Sequence, residues 1–258
     1  MFNERGQKQS EFTLILREDP DLGQGLSPAD RSAATSLFRA PVLHVNGPRW
    51  EPPDYPAATT YGLLVLDGLI GRRVKIGRAV GTELLSSGDV VRPWDEPVAW
   101  EMIPPDLEWR IFSPARLAVI DERITALIGR RPQLIVNFSE RLLRRARAAN
   151  YLMVVSHLPR VEDRVLATLW HVASCWGRVT PQGVSIPFRL THEVLGEIVG
   201  AHRPSVTVAM QTLTSRGRVQ RTPEGEFILI GEPPDWNAGE PDAGAPAHVD
   251  AQSVRRAS

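Results

Sequence analysis

Apolar positions along the chain fall into two textures. Between Pro41 and Asp121 they come in short runs, VLHV, YGLLVLDGLI, RRVKIGRAVGTELL, DVVRPW, VAWEMI, EWRIF and ARLAVID, cut by Gly and Pro as at Asp67-Gly68 and Ser87-Gly88-Asp89. Closely spaced β-rich runs with turn signals between them predict a small antiparallel barrel or roll. From Asp121 the spacing switches to three and four. Glu122 to Ile128 reads as a short helix ended by Gly129, and Pro132 opens a long one running to about His157, ahead of Pro159. Along it Ile135, Phe138, Leu142, Ala149 and Leu152 keep three-four spacing, interrupted by Arg145. A helix this long, with a seam but few local partners, predicts self-association through a parallel coiled coil. The other reading is that the seam packs on the barrel. Val161 to Trp176 is a further amphipathic helix with Val165, Leu166, Leu169, Val172 and Ala173 inward, followed by a short strand from Val184 to Leu190. Ahead of the β-rich region, Ser27 caps a helix whose first turn holds Pro28.

The densest pattern is Leu190 to Gly217, LTHEVLGEIVGAHRPSVTVAMQTLTSRG. Thr191 is placed to cap a first helix, in which Val194, Leu195, Ile198 and Val199 form one buried side. Gly200 stops it, since Gly readily takes the left-handed conformation there. Pro204, tolerated in a first turn, starts a second helix with Val206, Ala209, Met210 and Leu213 inward. Gly196 is small where the helices must cross, and Val206 plugs the crossing. Arg203, Ser205, Thr207, Val208 and Gln211 are left outward, groups suited to base edges and phosphates in a major groove. The pattern is a helix-turn-helix. Arg218 to Arg221, a Thr222-Pro-Glu-Gly turn and Glu226 to Ile230 read as a hairpin after it, a wing. An ordinary helical core followed by a hairpin is the competing reading.

Composition changes this picture in few places. The 258 residues leave room for one large or two ordinary domains, and the formal net charge is zero. Charge is unevenly spread: Arg130, Arg131, Arg141, Arg144, Arg145 and Arg147 crowd one segment with Glu140 alone against them, while the tail after Gly231 is acidic. One cysteine, Cys175, excludes an intrachain disulfide framework and points to a reducing cytoplasm. The start lacks a signal-peptide pattern, and no stretch approaches about 18 consecutive apolar residues, so no membrane partner is expected. His171 and Cys175 lie four apart on a helix, but two ligands do not make a structural zinc site, and no metal and no cofactor is expected. No nucleophile elbow, Walker loop, dinucleotide fingerprint or HExxH helix is present, so the sequence gives no support for an enzyme.

The order β-roll, short helix, long helix, winged helix resembles the catabolite-activator/FNR (CRP/FNR) superfamily of dimeric bacterial transcription regulators. The likeness spans residues 30–231 and is sharpest in LTHEVLGEIVGAHRPSVTVAMQTL. By that resemblance Arg203 corresponds to the family's base-reading arginine, and Ser205 to its phosphate-contacting Thr or Ser. Pro204 stands where many members have a base-reading Glu, and Val208 where many have Arg. The operator is therefore not transferable from better-known members. Cyclic-nucleotide-binding members carry a Gly-Glu pair and an Arg-Ser/Thr-Ala run that hold the phosphate. Asp89 to Ile111 has neither, so no cyclic nucleotide is expected. Trp94, Trp100 and Trp109 gather there, to line an apolar pocket or to fill the roll's core.

The expectation is an α+β chain: residues 1–25 a flexible N-terminus apart from the apolar run Phe12 to Leu16, and 26–121 an antiparallel β-roll. Residues 122–158 hold the short helix and the long dimerisation helix, 159–231 the winged helix-turn-helix, and 232–258 a disordered tail. Base contacts are assigned to Arg203, Thr207, Val208 and Gln211. Phosphate contacts are assigned to Arg189, Thr191, His192, Ser205, Arg216 and Arg221, and the dimer interface to Ile135, Phe138, Leu142, Arg145, Ala149 and Leu152. The partners are double-stranded DNA and a second copy of the chain, with RNA polymerase and an unknown small-molecule effector as candidates. The rival reading is a ligand-binding β-roll with regulated or vestigial DNA contact; a third is a protein-interaction scaffold using the acidic tail.

Overall fold

Two strands too long for a flat sheet organise the first half of the chain. The computed structural model describes residues 11–56, 58–95 and 102–236. In chain order its elements are β1 (Glu11–Leu14), α1 (Ile15–Glu18), α2 (Pro28–Leu37), β2 (Arg39–Val45), β3 (Arg49–Trp50), β4 (Gly62–Ile76), β5 (Ala79–Leu85), β6 (Val90–Val91) and β7 (Asp106–Ile120). They continue with α3 (Glu122–Gly129), α4 (Pro132–Ser156), α5 (Val161–Trp176), β8 (Arg178–Thr180), β9 (Gly183–Ile186), α6 (His192–Val199), α7 (Arg203–Ser215), β10 (Val219–Arg221) and β11 (Phe227–Leu229).

The first sheet runs β1-β2-β7-β4-β5, with β3 also on β7 and β6 on β4. The runs expected as separate strands join: GLLVLDGLI and RRVKI lie on β4, and EWRIF and ARLAVI on β7, antiparallel from Gly62 opposite Ile120 to Lys75 opposite Asp106. The register slips between Val65 and Ile70, where bulges bend and twist the pair. Gly68 sits at that bend with φ +89°, and a Cβ there would lie 2.3 Å from the Pro114 carbonyl.

Three cores result. Leu43, Leu63, Leu117 and the edge-to-face pair Trp50–Trp109 fill the roll. A second core, with Ile15, Leu22, Phe38, Ile124, Leu134 and Phe138, joins the roll's other face to the helices around it. Residues 11–25 were expected to be loose apart from the apolar run Phe12 to Leu16. Leu22, outside that run, is instead fully buried, as is Ile15 within it, because Leu14 pairs with Arg39 and carries the chain back under the sheet. The third core is that of the C-terminal helices, and it takes in Leu69, Leu84 and Phe112 from the far half of the roll. Trp94 packs edge-to-face on Tyr55. Trp100, residues 1–10 and the tail from residue 237 lie outside the described residues.

Candidate nucleic-acid interface

The helix pair forms because each end is closed by the residue the sequence supplies. The Thr191 side chain accepts from the Val194 N–H at 3.2 Å, and Gly200 closes α6 at φ 65°. Pro204 sits in the first turn of α7. A Cβ on Gly196 would stand 2.5 Å from the Ala201 carbonyl and 3.6 Å from Val206. The tight approach is therefore to the turn, and Val206, fully buried, fills the crossing beside it. Val206, Ala209, Met210 and Leu213 turn into a core shared with Val165, Leu169, Val194 and Leu195.

The opposite face of α7 is open. Arg203, Pro204, Ser205, Val208 and Gln211 are exposed and Thr207 is half-buried; Val208, an apolar group, is 62% exposed to water. Arg203 makes no side-chain hydrogen bond or ion pair among the described residues. Beyond Gln211 the same face continues to Thr214 and Ser215, and with Gln220 and Arg221 these line a groove of about 420 Å³ between α7 and the hairpin. Thr214 and Gln220 were not singled out in the sequence. Thr214 lies three residues past Gln211 and was legible from helical spacing, whereas Gln220 is brought there by the fold.

The expected phosphate-contacting residues ring this face unequally. Thr191 and Ser205 are exposed. His192 Nδ1 lies 2.9 Å from Thr207 Oγ1, and burial, then Arg221 and Arg203, hold its pKa below the usual histidine value. Arg189 packs against Gly225 in the wing turn. Arg221 donates to the Gly225 carbonyl at 3.4 Å and lies over the Phe227 ring. Arg216 is paired with Glu162 of α5 at 3.0 Å. The four-stranded sheet β10-β11-β9-β8 holds the wing, with Phe227 opposite Ile186 tying it to the strand before α6.

The six residues expected at a dimer interface do not share one free face. Phe138 is fully buried, edge-to-face on Tyr61 at 5.3 Å. Arg145 grips both oxygens of Glu83, at 3.0 and 2.9 Å, and donates to the Val90 carbonyl. Leu152 is half-buried. Phe138 and Arg145 face inward, and the arginines around them meet carboxylates on that side: Arg141 on Asp19 of the N-terminal segment at 2.7 Å and Arg144 on Asp89 of the roll at 3.4 Å. The basic crowding in the sequence is, at these three arginines, the tether of α4 to the roll. Ile135, Leu142 and Ala149 are exposed at the edge of that face, and the apolar positions turned furthest outward are Val136, Val154, Met153 and Leu143.

The two halves are joined by a half-buried ion pair. Glu197 of α6 accepts from Arg73 Nη2 at 2.9 Å and from Thr82 Oγ1 at 2.5 Å, with only 10% of its side chain exposed. Arg73 also reaches Glu108 at 3.2 Å. No group of three His, Cys, Asp or Glu able to hold a metal occurs among the described residues. Cys175 Sγ and His171 Nε2 are 4.0 Å apart, and the His171 ring stacks on Tyr151. Burial holds the Cys175 thiol above its ordinary range, which keeps it protonated and a poor metal ligand. Among the described residues no helix is long and apolar enough to cross a membrane.

Residues 163–234 match the family model of the Crp-like helix-turn-helix domain. The CRP-like cAMP-activated global transcriptional regulator of Mycobacterium tuberculosis (strain ATCC 25618 / H37Rv) is 24% identical over 210 residues, 81% of this chain and 91% of that protein. A mutant of CooA from Carboxydothermus hydrogenoformans superposes with a TM-score of 0.59 at 13% identity, covering 87% of this chain and 94% of the other. FixK2 of Bradyrhizobium japonicum superposes at 0.57 with 14% identity, over 74% of this chain and 93% of its own.

Proposed function

From the premise that the chain belongs to the CRP/FNR superfamily of DNA-binding transcription regulators, we propose that it works as a homodimer on a palindromic operator. The observation that carries this reading is the open face of α7, Arg203, Thr207, Val208 and Gln211, on a helix whose other side is buried in its own domain. Two such helices held about 34 Å apart read successive major grooves on one side of the duplex. In this reading Arg203 and Gln211 address base edges, and Thr207 and Val208 shape an apolar contact such as a thymine methyl. Thr191, Ser205, His192, Arg189 and Arg221 hold register on the phosphates.

The dimer face is assigned to Val136, Leu143 and Val154, with Ile135, Leu142 and Ala149 on its flank; steps of seven and eleven residues both return to nearly the same side of a helix and keep a seam facing a partner. Phe138 and Arg145 serve the contact between α4 and the roll, and Leu152 lines the cavity beneath the helix. RNA polymerase is the further partner that control of transcription implies, an effector is the further ligand, and the cytoplasm is the compartment.

Selection of bound sites from random duplexes tests the proposal. Recovery of an inverted repeat with half-sites one helical turn apart supports it; recovery of no inverted repeat counts against it.

A further inference from the structure

The open side of α7 carries a hydrogen-bonding group at each end and an apolar patch between them. Arg203 opens the helix and Gln211 lies on the same side two turns on, with Pro204, Thr207 and Val208 in between. Pro204 has no polar side-chain atom. Val208, four residues later and so directly above it on the helix, is 62% exposed. Where the family resemblance leads one to expect a carboxylate and a guanidinium, this chain presents a ring and two methyls.

Thr207 adds a third methyl, because its hydroxyl is occupied. The single proton is donated to the Arg203 carbonyl at 3.0 Å, and the oxygen accepts from His192 Nδ1 at 2.9 Å. The Thr212 hydroxyl is likewise turned back, onto the Val208 carbonyl at 3.1 Å. The middle of the face therefore holds no free donor for thymine O4 or guanine O6. In the major groove of ordinary DNA, the one group such a patch can recognise is the C5 methyl of thymine. Methylated cytosine presents the same methyl at the same carbon, and differs from thymine there in an exocyclic group that the patch has nothing to read with.

We propose that Pro204, Thr207 and Val208 form a reader of the pyrimidine 5-methyl group, which accepts 5-methylcytosine as it accepts thymine, so that methylation of cytosine strengthens a site carrying cytosine at that position. This rests on the operator reading above and narrows its ligand to duplex DNA with a methylated pyrimidine at one fixed position in each half-site. Val208 lies five residues past Arg203, about 7.5 Å along the helix or about two base-pair steps. The methyl is therefore read about two base pairs from the position that Arg203 addresses.

The test uses full-length protein and the duplex most enriched in selection from random DNA, with affinity measured by fluorescence anisotropy at fixed salt. Each thymine is replaced in turn, in both half-sites together, by deoxyuridine, which lacks only the methyl. Burying one methyl contributes about fourfold in affinity, so one position should show a loss of about fifteenfold over the two half-sites. At that position a 5-methylcytosine–guanine pair should bind about fifteenfold more tightly than cytosine–guanine. Both ratios should shrink in Val208→Ala, whose exposed site leaves the fold intact, whereas a thymine acting through DNA shape alone would keep its ratio. Indifference to deoxyuridine at every thymine, equal binding of cytosine and 5-methylcytosine, or unchanged ratios in Val208→Ala overturns the proposal and leaves the operator reading standing. Recovery of no enriched duplex overturns both.

Discussion

His192 Nδ1 and Thr207 Oγ1 are 2.9 Å apart, joining the first residue of α6 to the open face of α7. The Thr207 hydroxyl donates to the Arg203 carbonyl at 3.0 Å, so it accepts from the ring, which fixes the proton on Nδ1. Nε2 is then the nitrogen left to take up a second proton when an anion arrives. Burial, Arg221 and Arg203 depress the His192 pKa in the free protein. A phosphate nearby supplies the missing counter-charge and raises it. Binding then takes up a proton, so DNA affinity should rise as pH falls from about 7.5 to about 5.5, around the ordinary histidine value. Fluorescence anisotropy at fixed salt checks this: the slope should flatten in His192→Gln, and parallel profiles for the two proteins would remove His192 from the interface.

The same depressed pKa has a sign for stability. Without DNA the unfolded chain binds the proton more readily than the folded one, so the His192 contribution is complete above the ordinary value of 6.5. It declines as pH falls below that and levels off below the folded pKa. Thermal denaturation of wild type against His192→Gln should diverge in that direction, with the wild type losing more on acidification.

Among the described residues the Arg203 side chain makes no hydrogen bond or ion pair, and Arg221 leans on the wing turn. Arg203→Ala should cost about 1–3 kcal/mol of discrimination at one base pair of the selected site, with little loss on random DNA. Arg221→Ala should weaken both classes of DNA alike and lower the salt dependence. Equal losses from Arg203→Ala on selected and random duplexes would move that residue to the phosphate contacts.

Phe138 and Leu143 lie five residues apart on α4 and face opposite ways. Phe138→Ala empties a filled site against Tyr61 and should destabilise the fold by about 3–5 kcal/mol while leaving the oligomer intact. Leu143→Arg should leave the melting temperature of the domains near wild type and shift the sedimentation coefficient to that of a monomer, with loss of operator affinity. A dimeric Leu143→Arg protein would place the partner helix elsewhere.

Glu197 is held by Arg73 and Thr82 in a site that is almost closed to water. Glu197→Ala leaves Arg73 short of one partner and should destabilise the protein by about 1–3 kcal/mol. A double-mutant cycle with Arg73→Ala should show coupling of the same sign by denaturant unfolding. Additive effects would mean that α6 and the roll are held by their apolar contacts alone.

The sequence by itself determined the helix-turn-helix. Thr191, Gly196, Gly200, Pro204 and Val206 act within one or two turns of themselves, and caps, close approaches and stop signals of that kind depend on the local chain. It also determined α5, and the short β-rich runs were enough for an antiparallel roll, though not for the joining of those runs into β4 and β7 across the bulge at Gly68. Which side of α4 is free was decided only in three dimensions. That helix has apolar residues on both sides, Ile135, Phe138 and Leu142 as well as Val136, Leu143 and Val154, so spacing alone could not choose between them. The choice was made by Asp19, Glu83 and Asp89, carboxylates from distant parts of the chain that capture Arg141, Arg145 and Arg144 and turn that side of the helix to the roll. The Glu197 pair arises in the same way, from groups that meet only when the two halves dock.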